Sequence, residues 1–431
     1  MEPESSTMGL NAPKPNLTEQ QRIVQKGDLL VERFWRISED YHPDEYDEKR
    51  PDPTASQALP DIEQVNLKKQ SMDRLHSILL PLLGRQIVDL SKLSDPIKIR
   101  REPDATFELM FNKLAELEPT LEQLRSEYYV LFPEKIDTPY PYDNNDQHLE
   151  EFKTFRVRSL GDRLMVDAIL NAISVIDESR ELLEQMNLCI KRHRRYRKID
   201  IDRCRKNILE STADTLEGIK TTKGWLRGSE FELIQHHWPT QIRVFDDTLD
   251  TLSTLIDPPT NTNEPNPTTQ PEQPERNHLS EPVLQMARLS RPIIKLTRLF
   301  FHKISRRVIN MKQLPVSVGM SSFVLKDLSD SADEAGRIFQ RLVKLLREVD
   351  NNEHEDDEAI SSPFTKISSI LECSFETYLF YVLLYLVPRL PETGSFPTQD
   401  SFNDWCITWH NLFCLAIENF EDAASMLDNP H

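Results

Sequence analysis

Ten glycines in 431 residues leave this chain few ways to turn tightly. Average usage would supply roughly 30. Glycine takes positive φ without strain, so hairpins and close backbone approach to ligands depend on it. Scarce glycine beside abundant Leu, Glu, Lys, Arg and Asp predicts an all-α fold of long helices joined by polar, proline-containing loops. The same scarcity restricts chemistry. No two glycines stand two or five residues apart, and Gly224 and Gly228, four apart, flank Leu226. The dinucleotide fingerprint GxGxxG, the phosphate loop GxxxxGK and the nucleophile elbow GxSxG are therefore missing, as are HExxH and an EF-hand loop.

Apolar periodicity divides the chain. Residues 1–15 form a polar arm, and Thr18 is placed to cap a first helix carrying Ile23, Leu30, Phe34 and Ile37. Helical spacing continues through Ile62–Leu93, with Pro81 expected to kink or end the helix, and through Phe107–Leu131, with a bend expected at Pro119. It runs on from Leu149 to Lys191, then over about 201–221 and 229–256. Residues 257–277 contain no Ala, Val, Ile, Leu, Met or aromatic side chain, so they have no core to join. This predicts an N-terminal helical bundle over 16–256, a disordered proline-rich linker over 257–279 and a C-terminal antiparallel four-helix bundle over 280–429. Start signals for its helices are Ser280, Ser321 or Ser322, Ser362 followed by Pro363, and Asp400 or Ser401.

The formal net charge is −19, which favours solubility and disfavours nucleic acid and anionic membranes as non-specific partners. The start, Met1-Glu2-Pro3-Glu4, has no basic and apolar leader pattern. The most apolar run, Tyr378–Val387, is ten residues where a membrane span needs about 20, and it reads as a buried core helix. Five dispersed cysteines without a CxxC pair read as reduced intracellular thiols. These features point to a cytoplasmic protein, with the nucleus as a second location.

Three polar patterns stand out. Cys406, His410 and Cys414 follow one helical stripe, but a straight helix spreads the outer two cysteines about 12 Å apart, too far to share one ion. A core-facing stripe beside Phe402, Trp405, Trp409 and Phe413 is the better reading, and no metal is expected. Glu275 and His278 have the Glu-x-x-His spacing of di-iron bundles, without a second copy. Residues Lys191, Arg192, Arg194, Arg195, Arg197 and Lys198 form a basic cluster that reverses the overall charge. It suits an import signal, a dock for an acidic partner or a nucleic-acid or anionic-lipid patch, against the plainer reading of a solvated helix end. A second basic stripe, Arg291, Lys295, Arg298 and Arg306 with Arg288 and His302, lies within about 80° of arc on one helix. It reads as a charged outer face or as a contact for an anionic partner.

The block from Arg291 to Arg307, followed by Leu314-Pro315 and Met320-Ser321-Ser322, resembles a recurring block in an uncharacterised helical protein family of rust fungi. The late-chain order of helix, proline break and Trp-rich closing helix is similar to cyclin-D-binding-protein-like helical bundles. The first resemblance implies no activity, catalytic residue or cofactor. The second implies a non-enzymatic, protein-binding role in cytoplasm and nucleus. Together with the missing catalytic motifs, this gives a helical protein-interaction module with no catalytic residue and no cofactor. The alternative is a nucleic-acid- or anionic-lipid-binding protein acting through the cluster 191–198.

Overall fold

The computed structural model describes residues 18–48, 61–132, 144–190, 200–236, 238–257, 279–309, 316–351, 359–389 and 399–428. The chain is all-α, with no strand among the described residues. In chain order the helices begin with α1 (Glu19–Asp40), α2 (Pro43–Glu48), α3 (Asp61–Arg74), α4 (Leu80–Leu93) and α5 (Pro96–Arg101). Next come α6 (Pro103–Leu131), α7 (Thr154–Asp162), α8 (Asn171–Gln185), α9 (Ile201–Arg227) and α10 (Glu230–Ile234). The last are α11 (Trp238–Ile256), α12 (Glu281–Ile309), α13 (Ser322–Asp350), α14 (Ser362–Tyr381) and α15 (Gln399–Ser425). The arm 1–15 and nearly all of the stretch 257–279 lie outside the described residues.

Local chemistry sets the helix starts. Thr18 Oγ1 accepts from Gln21 N at 3.3 Å while Gln21 Oε1 accepts from Thr18 N at 2.9 Å, a reciprocal capping box. Ser321 Oγ accepts from Val324 N at the start of α13. Pro119 and Pro292 both sit inside α-helices that run on past them.

Among the described residues three π-helical turns widen the helices, and two of them precede a proline. Leu75–Leu79 precedes Pro81, whose ring crowds the carbonyl of Ser77 four residues back. Val382–Leu386 stands in the same relation to Pro388 and Leu384. Pro81 is thus absorbed by a wider turn without ending the helix. The third, Arg163–Leu170, frees carbonyls that side chains then take: Asn171 Nδ2 donates to Asp167 O at 2.9 Å, and Thr222 Oγ1 to Arg163 O at 3.4 Å. Here α9 comes so close that a Cβ on Gly218 would stand 1.9 Å from Asp167 O.

Packing gathers the helices into two compact units, one taking its described residues from 1–138 and 157–226, the other from 139–156 and 227–431. In the first unit α1 packs on α6 and α8, and α4 on the same two helices. Its core holds Leu30, Phe34, Leu83, Ile87, Phe107, Leu114, Leu121 and Ile176, all fully buried. Ion pairs Lys26–Asp104, Lys26–Glu108 and Arg33–Glu118 seam α1 to α6. Ile219 and Leu216 of α9 lie over Gly84.

In the second unit α11 packs against α12 and α13, α12 against α15, and α14 between α13 and α15. One connected aromatic group fills the interior. Trp238 and Phe245 meet Phe301 and Phe339, and Phe301 in turn touches Phe300 and Phe375, which pack with Trp409 and Phe413. Trp409 Nε1 donates to Leu296 O at 2.8 Å, so that indole N–H is satisfied, whereas the buried Trp238 Nε1 has no hydrogen-bond partner among the described residues.

This division differs from the expected one at 257–279. Helix α11 belongs with the later helices, because Trp238, Ile242, Phe245 and Leu252 turn their apolar stripe onto α12 and α13. The stretch without apolar residues joins two helices of one unit. Lack of a core identifies a connection and says nothing about which elements it connects. Among the described residues, the four long helices expected after residue 280 are α12, α13, α14 and α15, and α11 packs with them as a fifth.

Candidate interaction surface

The second unit holds a set of buried charges whose residue types suggest chemistry. Lys153 and Glu230 are fully buried and paired at 2.6 Å. Lys153 Nζ also donates to Ser317 Oγ at 2.9 Å, and Glu230 Oε2 accepts from Val318 N at 2.7 Å. Arg156, equally buried, donates to the carbonyls of Gly228 and Val316 at 2.7 and 3.2 Å. Burial pulls its guanidinium below the usual arginine range, against the carboxylate of Glu230. Asp146 sits at two helix starts, accepting from Ser322 N at 2.8 Å, from Ser322 Oγ and from Thr154 N at 3.0 Å. Phe155 N donates to Ser322 Oγ at 2.8 Å. The charged members Asp146, Lys153, Arg156 and Glu230 are buried and bonded within this cluster. The cluster fastens residues 146–156 to 228–230 and 316–322.

Other titratable groups are placed as follows. Cys406 is buried, its thiol pushed up to about 12 by burial, while Cys414 touches His410 at 3.6 Å. Among the described residues no group of three His, Cys, Asp or Glu side chains is arranged to hold a metal ion. Glu275 and His278 lie outside the described residues, as do Lys191, Arg192, Arg194, Arg195, Arg197 and Lys198. The basic stripe on α12 is partly used internally. Arg298 pairs with Asp246 at 2.6 Å and Arg288 with Glu281 at 3.4 Å. Arg291 is half-buried, Lys295 is exposed, and the side chain of Arg306 lies outside the described residues. A groove of about 210 Å³ lined by Val244, Asp247, Thr248, Thr251, Gln340 and Val343 is smaller than the ~300 Å³ lower bound for small-molecule sites.

In the first unit, burial pushes the Glu178 carboxyl up to about 7, with Glu181, Asp177 and Glu210 adding to the rise and the hydrogen bond from Ser211 opposing it. A pKa raised on folding means that the fold prefers the protonated carboxyl. That preference is fully present below about pH 4.5 and is lost as pH rises through about 7. Glu178→Gln is expected to stabilise the first unit by about 1–2 kcal/mol at pH 8 and by almost nothing at pH 4.5. Thermal melts of both proteins across this range check it, and parallel pH profiles would count against it.

The surface offers a different kind of site. Helix α14 and its π-helical continuation, Ser362–Arg389, are long and apolar enough by composition to cross a membrane. One side packs into the unit through Phe364, Leu371, Phe375, Tyr378 and Val382. The other carries Ile370, Cys373, Phe380, Leu383 and Leu384 outward, with Phe380 58% and Leu384 47% exposed. The run Tyr378–Val387, expected to be a buried core helix, is thus buried on one side only. Helix α15, packed alongside, exposes Ile407 (60%), Leu412 and Leu415 (53%). Between the two apolar margins runs a line of carboxylates. Burial and the neighbouring Glu376, Glu421 and Glu418 raise the Glu372 carboxyl above its ordinary range. His410 approaches Glu376 at 3.9 Å, and Ser368 donates to Glu421.

Residues 68–227 match a family model described as a domain of unknown function (DUF8723), and residues 229–422 match another described as a domain of unknown function (DUF8721). No curated protein and no solved structure matches the chain. The two matched stretches meet at residue 228, beside the Leu226–Arg227 boundary given by packing and well before the stretch 257–279.

Proposed function

We propose that this protein is a non-enzymatic helical interaction module, whose second unit presents the exposed face of α14 and α15 to a protein partner. The observation that carries this reading is the apolar margin Ile370, Cys373, Phe380, Leu383 and Leu384 on an otherwise packed helix. Single exposed apolar residues are ordinary on a protein surface, whereas a contiguous row beside a second one marks contact sites. The sealed state of the Lys153–Glu230 cluster and the missing phosphate-binding motifs support a role without catalysis. A pattern-level likeness to cyclin-D-binding-protein-like bundles agrees with it. The dispersed thiols and acidic balance support a cytoplasmic setting.

The test is the double variant Phe380→Asp with Leu384→Asp. Both side chains are about half in water, so the melting temperature should move little. Affinity capture from native lysate, quantified against wild type, should lose the proteins bound through this face. Equal recovery by the folded variant and wild type removes the reading.

A further inference from the structure

The partner's chemistry follows from charge. Helices α14 and α15 carry seven carboxylates (Glu372, Glu376, Asp400, Asp404, Glu418, Glu421 and Asp422) against one cation of fixed charge, Lys366. At ~100° per residue, Lys366 sits about 120° round the helix from Glu372, away from the carboxylate line. Glu372 and Glu376 lie about 40° apart on the side facing α15, with Cys373 and Phe380 a further quarter-turn outward. On α15, Ile407 and Glu418 lie about 20° apart, with Leu415 about 60° beyond. Two parallel or antiparallel helices packed at 8–10 Å leave a shallow furrow between them. This one carries a line of acid with Phe380 outward of it on α14, Leu415 outward of it on α15 and Ile407 level with Glu418. Like charges held together are relieved by a counter-charge, and nothing on these two helices supplies one beyond His410.

Building on the proposed interaction role, we infer that the face takes a partner's amphipathic helix, its Lys and Arg over Glu372, Glu376, Glu418 and Glu421 and its apolar stripe on Phe380, Leu384, Ile407 and Leu415. This is helix-in-groove recognition with charge setting the choice of partner. A second copy of this chain fits poorly, since two-fold pairing sets carboxylate against carboxylate. An anionic membrane is repelled for the same reason.

The probe is a fluorescein-labelled 18-residue peptide of leucine and lysine with leucine at helical spacing, titrated against the full chain by anisotropy. Companion peptides replace lysine by glutamate or by glutamine, or scramble the order. The leucine–lysine peptide should bind and weaken between 50 and 300 mM salt. Glu372→Gln, Glu376→Gln, Glu418→Gln and Glu421→Gln together should weaken it at least tenfold. Removing four carboxylates elsewhere (Glu39→Gln, Glu63→Gln, Asp214→Asn, Asp250→Asn) should change it less than twofold, and the scrambled peptide should bind at least tenfold more weakly. Equal loss in both quadruple variants, or equal binding of the scrambled peptide, shows mere attraction to an acidic chain and overturns the inference. Equal binding of the glutamate or glutamine peptide, abolished by Phe380→Asp with Leu384→Asp, overturns the charge assignment while leaving the interaction role standing. Failure of every helical peptide to bind overturns both.

Discussion

Replacing Lys153 with methionine should destabilise the second unit by about 3–5 kcal/mol, the range for stranding one partner of a buried pair. Methionine fills much of the lysine stem's volume, so packing changes little. The carboxylate of Glu230 keeps the hydrogen bond from Val318 N and the nearby charge of Arg156 but loses its direct ammonium partner at 2.6 Å. The variant should lose hydrogen-exchange protection across α10–α13 and keep it across α1–α8. Adding Glu230→Gln should recover a large part of the loss, because a neutral amide needs no counter-ion and still accepts from Val318 N. A double variant no more stable than Lys153→Met alone would show that charge pairing is not the cause.

Gly218→Ala should cost the first unit about 3 kcal/mol or more, the upper end for overpacking against an unyielding neighbour. An added Cβ meets the Asp167 backbone at 1.9 Å from O and 2.4 Å from C, and both atoms belong to the π-helical turn. The same change at Gly224, on the same helix, has nothing within 4 Å. There alanine should stabilise by about 0.5–1 kcal/mol through helix propensity. The pair thus predicts opposite signs for identical chemistry six residues apart. Thermal melts of the two variants decide it, and shifts in the same direction would refute the close-approach account.

Much of the helical framework was legible in the sequence. Thr18 and Ser321 signal their helix starts because capping is local chemistry, written within three residues. Helical spacing also located many of the buried apolar side chains, from Phe34 to Phe413. What spacing cannot report is which buried stripe meets which. Trp238 and Phe245 look alike whether they face α9 or α12, so the unit boundary was misplaced. Lys153, Glu230 and Ser317 lie 77 and 164 residues apart in pairing, with no period to betray them. The run Tyr378–Val387 misled for another reason. A continuous apolar stretch hides which side is covered, and only the positions of α13 and α15 separate buried Tyr378 and Val382 from exposed Phe380 and Leu384.

The segment 146–156 also imposes an order on biosynthesis. Lys153 and Arg156 leave the ribosome before Glu230, and well before Val316 and Ser322, with which this segment must be buried. At 5–20 residues per second, the interval from Lys153 to Ser322 is roughly 10–30 s. Through that interval Lys153 and Arg156 stay solvated on the nascent chain, without the partners they meet in the fold. A piece of the chain starting at residue 227 never receives them, and its Glu230 has no ammonium to meet. Autonomy of the later unit is therefore inherited from an earlier stretch of the message.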